Sequence, residues 1–165
     1  MEPAFQRLLP GADKAAHYAT LLPRLAALIE GEHDEVSVMA NVAAALHASF
    51  SWLWTGFYRV ENDDWLVLGP FQGGVACWRI RYGRGVCGTA WATGQTQVVP
   101  DVDRFPGHIA CSSHSRSEIV VPIRDLGGRV RAVLDVDSDR PAAFDEVDRL
   151  WLERVGQLVA TTWGL

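Results

Sequence analysis

Between residues 51 and 83 the chain carries three short runs rich in aromatic and β-branched residues, SWLWTGFYRV, WLVLGPF and ACWRIRYG, parted by Glu61-Asn62-Asp63-Asp64 and by Gly73-Gly74. Runs of that kind, separated by turn-forming residues, predict sequential antiparallel strands. In the third, Trp78, Ile80 and Tyr82 alternate with Arg79 and Arg81, the pattern of a strand with one buried face. A central parallel strand would be apolar throughout, so a doubly wound sheet is disfavoured.

Helical periodicity brackets this centre. Residues 13–30 place Ala16, Ala19, Leu22 and Ala26 on one face, with Asp13 at the cap position and Gly31 at the stop. Pro23 removes a backbone donor there and is expected to kink or split the helix, since an interior proline costs about 3 kcal/mol or more. In residues 34–49, Val38, Val42, Ala45 and Leu46 recur at helical spacing. Beyond the three strands, VCGTAWATG suits a short helix packed close on the sheet, and QTQVVP returns as a strand. EIVVPIRD and VRAVLDVD then form a hairpin around Gly127-Gly128, and an amphipathic helix runs from about residue 144 to residue 163. Helices at both ends of an antiparallel sheet of about six strands predict an α+β fold. A length of 165 residues suits one domain with one sizeable core; the expected division is an N-terminal extension over 1–12 and the domain over 13–165.

Charge narrows the function classes. Fifteen Lys and Arg against 20 Asp and Glu give a net charge of −5, with no basic stripe, which argues against nucleic acid. The chain contains no run of about 18 apolar residues, and MEPAFQRLLPGADK lacks the basic-then-apolar order of an export signal, so no membrane association and a cytoplasmic location are expected. Three cysteines, Cys77, Cys87 and Cys111, are an odd number; a structural disulfide framework is not expected, and reactive, metal-binding or buried thiols remain.

Four features compete for a functional reading. Gly83-Arg84-Gly85-Val86-Cys87-Gly88 matches G-x-G-x-x-G, but it follows an alternating strand and has no second βα unit, so tight-turn glycines explain it better than a dinucleotide. His108, Cys111 and His114 stand three apart without a C-x-x-C partner, so no metal is expected, and each histidine reads as a solvated loop side chain. Cys111 lies among small polar residues in the long, aperiodic segment DVDRFPGHIACSSHSRS, where reactive cysteines are found. Cys77 begins the third strand and Cys87 stands at a helix N-terminus, where the dipole lowers a thiol pKa; taken alone, each of the three reads as a small core residue. Finally, Asp135 and Asp137 alternate on one strand face and Glu118 opens the preceding strand. The choice is between a solvated strand end and a carboxylate cluster suited to hold an ammonium group or donate a proton.

Taken in order, WTGFYRV, LGPFQGGVACWRI, GRGVCGTAWATGQ, DVDRFPGHIACSSHSRSEIVVPI and VLDVDS resemble the free methionine-(R)-sulfoxide reductases, and the resemblance runs from about residue 13 to 165. It implies a GAF-type domain that reduces free methionine (R)-sulfoxide as a homodimer. By position it implies Cys111 as nucleophile, Cys77 as main resolving thiol and Cys87 as auxiliary thiol. Glu118, Asp135 and Asp137 would be the pocket carboxylates, with Asp137 the first candidate for the acid, and Trp54 and Tyr58 the aromatic wall. The segment SSHSRSE after Cys111 departs from the family's commoner Ala- or Asn-containing stretch. No cofactor is implied beyond a dithiol reductant such as thioredoxin. The alternatives on the same fold are a small-ligand module and a redox sensor, neither with turnover.

Overall fold

The computed structural model describes residues 5–164. Its elements are α1 (Lys14–Ile29), α2 (Glu35–Ser49), β1 (Trp54–Val60), β2 (Trp65–Gln72), β3 (Arg79–Arg81), α3 (Gly85–Thr93), β4 (Gln97–Val99), β5 (Ser117–Arg124), β6 (Val130–Ser138) and α4 (Glu146–Ala160). Single 3₁₀ turns occupy Val102–Arg104 and Thr161–Trp163. The six strands form one sheet in the order β3-β2-β1-β6-β5-β4, antiparallel at every pairing.

Alternation along the central strands gives the sheet two chemically different faces. Ile119, Val121 and Ile123 of β5, Ala132, Leu134 and Val136 of β6, and Phe57 of β1 join the core formed with α1, α2 and α4. The intervening residues face the other way, where Tyr58, Val120 and Val133 meet Val86, Cys87 and Ala90 of α3. On this second face Glu118, Asp135 and Asp137 also project.

Two expectations fail in instructive ways. The helix α1 runs unbroken through Pro23, and its buried side chains are Tyr18, Leu21, Leu25 and Ile29 rather than the alanine face. The larger side chains remove more apolar area from water at about 25 cal/mol per Å², and Tyr18 finds a buried partner: its hydroxyl donates to Asp148 Oδ1 at 2.7 Å. The third strand is only three residues long and lies at the sheet edge, so only Ile80 is buried while Trp78 is 79% exposed and Tyr82 is half exposed. Its neighbour Cys77 stands in the loop before the strand rather than at its start.

Candidate active site

Register brings the site together. Across β1, β6 and β5, Trp54, Asp137 and Glu118 stand in one row, and Gly56, Asp135 and Val120 in the next. The C-terminal end of β2 lies at the same end of the sheet, since Gln72 pairs with Thr55. The loop that follows β2 carries Cys77, and the loop that precedes β5 carries Cys111. The two meet there, with Cα atoms 5.6 Å apart, as a disulfide; Cys87 is the free, buried thiol. Cys111 of this disulfide lines a cavity of about 180 Å³, together with Trp54, Tyr58, Cys87, Glu118, Asp135 and Asp137 among others. A cavity of roughly 150 Å³ already holds a benzene-sized molecule, so a small organic ligand fits.

The aromatic pair also holds the cysteine loop. Trp54 Nε1 donates to the Gly74 carbonyl at 3.0 Å and the Tyr58 hydroxyl to the Cys77 carbonyl at 3.0 Å. Burial, with Asp135 nearby, keeps the Tyr58 hydroxyl protonated far above its ordinary range. On the other side, α3 is set by a tight approach: Gly85 opens it at φ +62°, and a Cβ on Gly88 would lie 2.6 Å from the Arg81 carbonyl oxygen. The glycine-rich motif is thus a packing device, as the turn reading expected.

Electrostatics set this pocket apart. Glu118 and Asp135 are 5% and 6% exposed, and neither Lys nor Arg is among the residues lining the cavity. Burial, and then the Asp137 charge, pushes the Glu118 carboxyl up to about 8. Burial and Glu118 together hold Asp135 well above the carboxylate range, and burial and Asp135 do the same to Asp137. Asp135 bonds to the Glu118 carboxyl and the Cys87 thiol, and its buried Oδ1 has no partner outside this cluster. Asp137 keeps one, the Ser115 hydroxyl donating to its Oδ1 at 3.0 Å. The carboxylates are therefore a buried cluster and not a solvated strand end.

Two other readings need correction. Helix position was expected to lower the Cys87 pKa, but desolvation and the Asp135 charge push the thiol well up; a low-dielectric site beside carboxylates outweighs a half-charge at a helix terminus. His108 is not solvated: its side chain is largely buried and its Nε2 stands 3.6 Å from Glu118 Oε2. Burial lowers its pKa, so a neutral imidazole faces a carboxyl that is protonated at neutral pH. Ser115 was missed outright; a serine beside Arg116 in an aperiodic loop gives no sign that it will turn inward.

An antiparallel sheet with helices against one face and a loop-roofed pocket on the other defines the GAF class of domains, and the GAF-domain profile matches residues 32–163. A Dictyostelium discoideum GAF domain-containing protein A is 51% identical over 146 residues, covering 88% of this chain and 92% of that protein. The free methionine-R-sulfoxide reductase of Escherichia coli is 46% identical over 149 residues, covering 90% and 87%. The X-ray structure of free methionine-R-sulfoxide reductase from Neisseria meningitidis in complex with its substrate superposes with a TM-score of 0.90 at 49% identity, covering 97% and 96%. The chain belongs to the free methionine-R-sulfoxide reductase family of GAF domains.

Proposed function

We propose that the chain reduces free L-methionine (R)-sulfoxide to L-methionine, and that the Cys77–Cys111 pair carries the electrons. The observation that carries this reading is a disulfide whose Cys111 lines the same small cavity as Glu118, Asp135 and Asp137, with no Lys or Arg in its wall. In the reduced enzyme the Cys111 thiolate attacks the sulfoxide sulfur; the oxygen ends on Cys111 as sulfenic acid and methionine leaves. Cys77 then attacks the Cys111 sulfur, the oxygen departs as water and the disulfide closes. Across both steps one sulfoxide and two thiols give one thioether, one disulfide and one water.

Protonation of the departing oxygen is the work of Asp137, whose carboxyl burial pushes well above its ordinary value toward a proton-holding form, beside the Ser115 hydroxyl. Glu118 and Asp135 receive the substrate ammonium, and Trp54 and Tyr58 flank the thioether chain. Cys87 serves as an auxiliary thiol behind this pair. A dithiol protein of the thioredoxin kind resets the disulfide without any further cofactor, and the working form is a homodimer in the cytoplasm. No helix among the described residues is long and apolar enough to cross a membrane.

The test is incubation with racemic free methionine sulfoxide and dithiothreitol, followed by chiral analysis. Consumption of the R epimer alone is expected. Survival of both epimers would leave a ligand-binding or redox-sensing domain and overturn the proposal.

A further inference from the structure

One group in the pocket has no part in the ammonium site: the Cys87 thiol. Its sulfur, one Glu118 carboxylate oxygen and one Asp135 carboxylate oxygen all lie within 4.8 Å of one another, and all three residues are buried. An ammonium wants oxygen acceptors, and a thiol at the third corner adds almost nothing for it. A thiolate with two carboxylates is, however, a donor set that Zn²⁺ and Co²⁺ accept readily. The buried Asp135 Oδ1 has no hydrogen-bond partner outside the cluster itself, where only the Glu118 carboxyl and the Cys87 thiol bond to Asp135, so a cation would replace the protons those groups share. His108 offers a fourth ligand from the roof, its Nε2 3.6 Å from Glu118 Oε2; adjacent ligand atoms around a tetrahedral zinc stand about 3.3–3.8 Å apart. The Cys87, Glu118 and Asp135 atoms lie within 4.8 Å of one another and His108 lies outside that group, so the three would close in around the ion and His108 would join them by a shift of its loop.

We propose that Cys87, Glu118 and Asp135, with His108 as fourth ligand, form an inhibitory binding site for a borderline-soft divalent cation such as Zn²⁺. The metal takes the carboxylates that the substrate ammonium would use, so metal and free amino acid exclude each other. That exclusion rests on the function proposed above, whereas metal binding itself does not. Binding forms three or four coordinate bonds, expels the protons of the ligating groups and changes no oxidation state.

The oxidised protein makes the test clean, because with Cys77 bonded to Cys111 the one free thiol of the chain is Cys87. Anaerobic titration of oxidised protein with Co²⁺ should give a near-ultraviolet thiolate-to-cobalt band with the visible absorption of four-coordinate cobalt, and Zn²⁺ should bleach both. Cys87→Ser should lose the thiolate band. Asp135→Asn and His108→Ala should each weaken Co²⁺ binding by about tenfold or more, since even supporting groups around a metal commonly count for 10–100-fold. These two carry the test if the serine variant does not fold. In steady state, Zn²⁺ should raise KM for the sulfoxide and leave kcat unchanged. Absence of a thiolate band in the wild type, or its persistence in folded Cys87→Ser, overturns the metal site and leaves the reductase reading untouched. A normal band with an unchanged KM overturns the competition alone.

Discussion

Replacing Glu118 by Gln should stabilise the protein while damaging substrate binding. The Glu118 carboxyl is 5% exposed and is pushed from 4.5 up to about 8 by burial and by Asp137. Between those two values the folded chain keeps a proton that the unfolded chain has lost, so stability falls as pH rises through this window and levels off above it. At about 1.36 kcal/mol per unit, the loss from this one group is on the order of 3 kcal/mol by pH 7 and 5 kcal/mol by pH 9. These are upper bounds because the pocket opens to water. Glutamine has the shape of the neutral acid and no proton to lose, so the loss disappears. For a domain of this size about 1 kcal/mol shifts Tm by roughly 2–4 °C, and the gain at pH 7 should be up to roughly 6–12 °C, growing toward pH 9 and vanishing near pH 4.5. The assay is thermal unfolding of both proteins, without ligand, from pH 4.5 to 9. Parallel pH profiles, or a less stable variant at pH 8, would refute the argument that this carboxyl is held neutral by burial.

Three further outcomes are expected. Cys111→Ser should abolish turnover, whereas Cys77→Ser should release one equivalent of methionine per subunit in a single-turnover experiment and then fail in steady state with thioredoxin. N-acetylation of the substrate removes the ammonium and should lower kcat/KM by roughly ten- to a hundredfold, the worth of a charge-assisted hydrogen bond of about 1.5–3 kcal/mol; equal rates on both substrates would refute the carboxylate site. Asp148→Ala should lower stability by about 3 kcal/mol with kcat unchanged, measured by urea unfolding and steady-state rates, because it strips the Tyr18 hydroxyl at 2.7 Å and the Lys14 ammonium at 2.7 Å of a buried acceptor.

Much of this architecture was readable because its signals are local. Residues 34–49 repeat their apolar side chains at helical spacing and become α2; Asp135 and Asp137 lie two apart on a strand and so share a face. What was not legible depends on partners distant in sequence. An alanine stripe and a Tyr18-Leu21-Leu25-Ile29 stripe on α1 are both helical, and what decides between them lies elsewhere in the chain: the apolar core of α2, α4 and the sheet that takes the larger side chains, and Asp148 on α4, which accepts from Tyr18. The alternation around Ile80 looked like a long strand; its length is decided by where β2 offers a ladder. His108 and Ser115 sit in a segment without periodicity, where which way a side chain turns is decided by Glu118 and Asp137 on strands that follow it. The pairing of Cys77 with Cys111 was implied only by family resemblance, since 34 residues and a sheet register separate them.

The same long-range placement explains how the sheet carries a pocket of buried carboxyls. Opposite-face alternation puts apolar side chains of β5 and β6 into the helical core, so the sheet can carry three carboxyls on its other face without losing its anchorage. Each of those carboxyls opposes folding as pH rises, and none is relieved by a Lys or Arg in the cavity wall. A built-in arginine would have made the apoprotein more stable and, on the function proposed above, would have occupied the place of the substrate ammonium. With no Lys or Arg beside the carboxyls, an incoming cation is the missing partner; on the function proposed above, discrimination for a free amino group and instability of the empty pocket would then be one property, and any substitution that cures the second should weaken the first.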